Sequence, residues 1–136
     1  MNVRSIGVML VMIVMTGCST GKDLAQSTQT GKIHDVRIGE SIEPRELVVR
    51  VGDEVRWINA RNAPVRVVFV DTLLDRVVCE KDFKLKPKAT WATIRANDYA
   101  SLCFMMAGSY IYNARMQAPL PGGEINTVGR ILVESP

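Results

Sequence analysis

Residues 32–136 predict an all-β domain, a Greek-key sandwich of two sheets. Three observations carry that reading. Apolar residues recur at every second position in short runs rich in Val, Ile, Phe, Tyr and Trp, which is the spacing of half-buried strands. Turn formers interrupt those runs at Gly39, Pro44, Gly52-Asp53, Asn62-Ala63-Pro64, Pro87, Gly108 and Pro119 to Gly123. After residue 31 no apolar stripe at helical spacing reaches a useful length. Many short strands separated by turns at such intervals fit a sandwich.

The elements follow in chain order. Met1 to Arg4 is short and carries one positive charge, and Ile6 to Met15 is an uninterrupted apolar run. A membrane span needs roughly 20 residues, so residues 1–17 read as an export signal. Met15-Thr16-Gly17-Cys18 closes the run and resembles a bacterial lipobox, with Met15 where Leu is usual. That resemblance implies a lipid on Cys18 as the first residue of the mature chain. Ser19 follows rather than Asp, which in Gram-negative lipoproteins implies the outer membrane, facing the periplasm. Residues 18–31 are polar and small apart from one Leu; they cannot bury enough apolar surface to order themselves and read as a flexible tether.

The domain itself spans 32–136. Strands are predicted at 33–39, 46–51, 54–59, 65–71, 75–80, 90–95, 101–106, 108–113 and 129–134. His34, Val36 and Ile38 share one parity, as do Leu47, Val49 and Val51, then Val55, Trp57 and Asn59, then Val65, Val67 and Phe69. A single turn of helix is expected near Asp71 to Leu74 or Asn97 to Tyr99. No internal repeat exists, and the 136 residues suffice for one core.

Two stretches carry a family resemblance. Gly52-Asp53 leads into Val55-Arg56-Trp57-Ile58-Asn59, then an Asn62-Ala63-Pro64 turn and the strand Val65 to Phe69. Later, Gly108-Ser109-Tyr110-Ile111-Tyr112 is followed by Gly129-Arg130-Ile131-Leu132-Val133. Together these are similar to the cupredoxins of the plastocyanin and pseudoazurin type. The resemblance implies a copper-ligand His after the Pro, a Cys two residues beyond the second Tyr, and a further His three residues on. Those positions hold Val65, Ala114 and Gln117. The axial Met would fall within Leu120 to Gly123, which contains none. A blue-copper centre needs two imidazoles, a thiolate and a weak axial ligand. The resemblance therefore implies the frame with a degenerate site and no copper cofactor.

A second reading keeps a metal. Cys103, Met105, Met106 and Met116, with His34 as the sole His, are soft donors suited to Cu(I). Such a rearranged site would make the chain a copper-binding or electron-transfer protein. Parity opposes it, because Cys103 and Met105 face away from Phe104 and Met106. With Cys18 lipidated, Cys79 and Cys103 remain as an even pair in an oxidising compartment. A bridge would close a loop of about two dozen residues and contribute roughly 3 kcal/mol. The alternatives are two buried free thiols or one redox-active pair, the latter without a C-x-x-C spacing.

Charge and catalytic residues narrow the rest. Arg4 is the only charged residue of the first 17, so export takes the net charge from +3 to +2, which is no nucleic-acid signature. Lys81, Lys84, Lys86 and Lys88 cluster, as a solvated loop or a face for anionic lipid or an acidic partner. No nucleophile has a His beside it, so no enzyme is predicted. Trp57 is expected in the core, and Tyr110 and Tyr112 on one face with hydroxyls at its rim. The partners expected are the membrane, through the lipid, and an envelope protein. The binding surface expected is the former metal end, Asn62 to Arg66 and Arg115 to Gly123, with Asn62, Arg66, Arg115 and Met116 as its residues. Arg61 would join Arg66 and Arg115 in a positive rim.

Overall fold

The computed structural model describes residues 28–136. The export signal, Cys18 and the tether up to residue 27 lie outside the described residues. Eleven strands and no helix are present among the described residues. They are β1 (Ile33–Ile38), β2 (Ile42–Glu43), β3 (Glu46–Arg50), β4 (Glu54–Asn59), β5 (Val65–Phe69), β6 (Val77–Lys81), β7 (Lys84–Lys86), β8 (Ala89–Ile94), β9 (Tyr99–Phe104), β10 (Gly108–Gln117) and β11 (Glu124–Glu134).

One sheet has the order β2-β1-β4-β9-β6 and the other β3-β11-β10-β5-β8-β7. The pairs β1–β4 and β3–β11 are parallel, and the remaining pairs are antiparallel. The all-β sandwich is as the sequence predicts. Its differences are local. β2 and β7 are too short to show alternation. The strand expected at 101–106 is Tyr99–Phe104, which leaves Met105 and Met106 in an exposed loop. No helical turn forms at 71–74 or 97–99; a bend and a turn mark the first stretch, and a turn at 96–97 leads into β9 at Tyr99 in the second. β10 continues past the predicted end at 113 to Gln117, and β11 begins at Glu124.

Period-two alternation places one parity of each strand in the core. Trp57 is fully buried at its centre. It meets Phe69, Phe83, Phe104 and Tyr112 edge-on, with centroids 5.3 to 6.5 Å apart, the favoured geometry for ring quadrupoles. Tyr110 and Tyr112 share this inward face, as expected. The Tyr110 hydroxyl donates to the Met106 carbonyl (2.7 Å). The Tyr112 hydroxyl does not reach a rim: the ring is fully buried and its oxygen has no hydrogen-bond partner of good geometry. Burial pushes that phenol up to about 12, opposed by the Trp57 indole N–H.

Two ends of the sandwich differ in role. The upper end carries the β4–β5 loop (60–64), the β8–β9 turn (95–98) and the β10–β11 turn (118–123). The lower end carries the β3–β4 turn (51–53) and the β9–β10 loop (105–107). The chain enters at the lower end. Gln29 N and Thr28 Oγ1 both donate to the Gly52 carbonyl (3.2 and 3.4 Å), and Thr30 Oγ1 donates to Asp53 Oδ1 (2.6 Å). Residues 28–31, expected as the end of the tether, thus lie against this turn.

Asp53 organises the turn. Its buried carboxylate also contacts His34 Nε2 (2.9 Å) and accepts from the Arg50 amide (3.1 Å). Burial raises its pKa, but the bonds from Thr30, His34 and Arg50 outweigh burial and hold it below the ordinary carboxylate value. A depressed carboxylate contributes stability above its unfolded pKa of about 3.9 and loses it as pH falls through the lower folded value. Urea unfolding from about pH 5 down to about pH 2.5 should show a loss of stability that Asp53→Asn flattens. An identical profile in that variant would place the acid sensitivity elsewhere.

Candidate functional site

Asn59 holds the upper end together. It is the last residue of β4, and the pleat turns its side chain inward, where it is fully buried. Its Nδ2 lies within hydrogen-bond distance of the carbonyls of Ala63 (2.8 Å), Ile94 (3.0 Å) and Arg95 (3.1 Å), its two N–H groups serving three acceptors with one bond shared. Its Oδ1 accepts from the Arg61 amide (2.9 Å). One amide side chain thereby joins the β4–β5 loop to the end of β8. Alanine would leave three carbonyls, one of the bonds buried and two part-buried, without this donor. Asn59→Ala is expected to cost about 3 kcal/mol, read as a lower urea midpoint at constant slope. A loss under about 1 kcal/mol would mean that water replaces the amide.

Arg61 was expected in a positive rim and instead acts as a clamp. Its Nη1 donates to the Gly39 carbonyl (3.1 Å) and its Nη2 to the Gln117 carbonyl (2.8 Å). The guanidinium thus ties the end of β1 in one sheet to the end of β10 in the other.

The positions that the family resemblance assigns to copper ligands fall on three kinds of site. Val65 opens β5 and is buried. Ala114 is buried on the inward face of β10, with Met116 beside it in the next inward position. Met116 is the cross-strand partner of both Val65 and Ile125. Gln117 ends β10 opposite Glu124 and is exposed. Arg115 to Gly123, expected as a loop, is strand for its first three residues, Arg115–Gln117 pairing with Glu124–Asn126. The cause is alternation: Ala114 and Met116 point in, Arg115 and Gln117 point out, and no ligand requires the chain to leave the ladder. Only 118–123 turns, closed by bonds from Ala118 N to the Gly123 carbonyl (2.9 Å) and from Gly123 N to the Leu120 carbonyl (3.2 Å). Gly122 takes the left-handed conformation there, with φ 79°.

These residues do not fit copper. Valine and alanine carry no donor, Met116 packs against Val65 across the strand pair, and the remaining amide of Gln117 is a weak oxygen ligand. The soft donors of the alternative reading are not brought together. Cys103 is joined to Cys79 in a disulfide with Cα atoms 5.5 Å apart. Met105 and Met106 are exposed at the lower end, while Met116 is buried at the upper. His34 is half-buried against Asp53. Among the described residues no group of three or more His, Cys, Asp or Glu side chains is placed to hold a metal ion.

What the upper end does assemble is a cleft. Pro64, Arg66, Arg115, Met116, Gln117 and Glu124 line an open hollow of about 280 Å³ on the outer face of the second sheet. Arg66 and Arg115 are direct cross-strand partners in it. The Arg66 guanidinium lies over the Trp91 ring, 5.6 Å from its centroid. Asn62, expected beside them, lines a different hollow with Gly39, Glu40 and Arg61. The Lys cluster is also divided. Lys81 donates to the Tyr99 carbonyl (2.6 Å) and pairs with Asp82 (2.8 Å) and Asp98 (3.5 Å), whereas Lys84, Lys86 and Lys88 are exposed.

Trp91, Thr93 and Glu124 were not anticipated in the site. For the first two the signal was present: Thr90, Ala92 and Ile94 are the inward parity of β8, which sends Trp91 and Thr93 outward beside Arg66. Glu124 could be placed only by knowing where the β10–β11 ladder ends.

No family model matches the chain, and no curated protein matches it. Solved structures do. The Cu(I) form of one amicyanin mutant is 32% identical, with TM-score 0.54, over 76% of this chain and 83% of that one. A reduced form of a second amicyanin mutant is 28% identical, with TM-score 0.54, over 76% and 84%. The oxidised state of a third is 30% identical, with TM-score 0.53, over 77% and 84%. The two-sheet fold, the Trp57 hairpin and 32% identity to an amicyanin over 83% of its length agree: the chain belongs to the cupredoxin family.

Proposed function

We propose that the chain is a lipid-anchored, copper-free binding module of the cell envelope, held at the outer membrane and facing the periplasm. One observation carries the reading. The family's ligand end is here a paired hairpin, with apolar Val65, Ala114 and Met116 packed beneath it and two arginines on its outer side. A rigid β scaffold with its recognition surface at one end is a common arrangement for binding proteins. Chain entry supports it as well. Gln29 and Thr30 meet the domain at the lower end, opposite the end that carries the two arginines. The resemblance of residues 15–18 to a lipobox supports the anchor.

The test is copper loading of the full chain, exported in copper-fed cells and then titrated with Cu(I) and Cu(II). The expected result is no stoichiometric copper and no thiolate-to-copper absorption band in the visible. One tightly held copper per chain would overturn the copper-free reading.

A further inference from the structure

We infer that the outer face of the second sheet, centred on Arg66, Arg115 and Trp91, is a docking site for an acidic surface of a partner protein. This deepens the binding-module reading and rests on it. The first observation is a local conflict. Arg66 and Arg115 stand directly opposite each other on an antiparallel pair, where like charges repel. No carboxylate among the described residues lies within ion-pair distance of either. The fold could relieve the repulsion with one neutral residue, yet it sets two forked cations side by side.

The second observation is the surroundings. Two rows cross the sheet. Asn126, Arg115, Arg66 and Thr93 are partners along one, and Val128, Asn113, Val68 and Trp91 along the next. The cationic row thus borders a row with apolar ends, in which Val128 is 56% exposed and Trp91 half-buried. Arg66 is held against the indole, which restricts its fork before any contact is made. Arginine and tryptophan with an apolar fringe are the composition of interface centres. The hollow of about 280 Å³ is open to solvent and continues into the exposed cross-strand rows, an arrangement that suits a protein surface better than a small ion. Arginine forks donate bidentately to carboxylates, so acidic side chains flanked by apolar ones complement both rows. Glu124 lines the same hollow and opposes the incoming carboxylates.

The test uses the full exported chain and a short synthetic peptide alternating Glu and Leu, followed by NMR at arginine Nε and tryptophan Nε1. The expected result is selective shifts at Arg66, Arg115 and Trp91. The peptide with Gln for Glu is expected to bind about tenfold more weakly, the equivalent of one charge-assisted contact. Arg66→Gln with Arg115→Gln should lower affinity by about tenfold or more without lowering Tm, whereas Glu124→Gln should tighten binding about threefold. Inorganic phosphate binding as tightly as the peptide would overturn the proposal in favour of a small-anion site. Unshifted arginines, or equal binding of the Gln peptide, would also overturn it. Copper retained by the chain would sink the copper-free reading and leave these shifts standing, so the two failures are distinguishable.

Discussion

Replacing Cys79 and Cys103 together by Ser is expected to lower the unfolding free energy by about 3 kcal/mol. The bridge joins residues 24 apart in sequence. Between them the chain leaves the first sheet at β6, builds β7 and β8 at the edge of the second, and returns as β9. The disulfide thus closes a loop that crosses between sheets, and freeing it restores to the unfolded chain the entropy of that closure. β6 is also an edge strand whose register shifts between Val78 and Lys81, with Cys79 at φ 48°. It has pairing on one side only, so the covalent tie matters more there than in a central strand. Urea unfolding of the oxidised chain, the reduced chain and the double variant measures the effect. The last two should coincide near the lower stability. A loss under about 1 kcal/mol would show that the edge holds by pairing alone.

Gly129→Ala is expected to cost about 3 kcal/mol through overpacking. Gly129 is the cross-strand partner of Tyr112, and the tyrosine ring lies across the glycine. An added Cβ would overlap the Tyr112 Cζ, Oη and Cε1 atoms. The ring has nowhere to go: it is fully buried and packs on Trp57 and Phe69 at 5.6 and 5.7 Å between centroids. Either the ring leaves its rotamer or β11 separates from β10, and both disturb the centre of the core. Gly129→Ala combined with Tyr112→Leu should recover part of the loss, because the smaller side chain removes the overlap. Equal losses in the single glycine variant and the pair would show that the backbone of Gly129, not the ring, sets the cost.

These two cases mark what could be read from the chain itself. The Gly108 to Tyr112 and Gly129 to Val133 stretches announce a strand pair, because their alternation is local. That Gly129 exists to accommodate Tyr112 depends on register, which is set by the partner strand and the turn. The pairing of Cys79 with Cys103 followed from their being an even pair. Trp57 was legible as core from parity. Arg61 was not legible as a clamp: nothing in Asn59 to Pro64 shows that Gly39 and Gln117 end beside it. The end of β10 was misplaced for the same reason. Pro119 to Gly123 is a strong turn signal, and Arg115 to Gln117 joins the ladder only because Glu124 to Asn126 lies opposite. Residue identity alone shows that Val65 and Ala114 carry no donor at the positions the family resemblance assigns to copper ligands, with Gln117 at the third. The pairing of 115–117 with 124–126 depends on long-range contacts.

Arg115–Gln117 and Glu124–Asn126 form a closed ladder rather than a loop awaiting a metal. Amide hydrogen exchange of the full chain, with and without Cu(I), reads that ladder residue by residue. Amides of 114–116, on a strand paired on both sides, should exchange far more slowly than those of the 118–123 turn, with no change on adding Cu(I). Rapid exchange across 114–116 in the metal-free chain, slowed by Cu(I), would contradict the account and return a metal to the site.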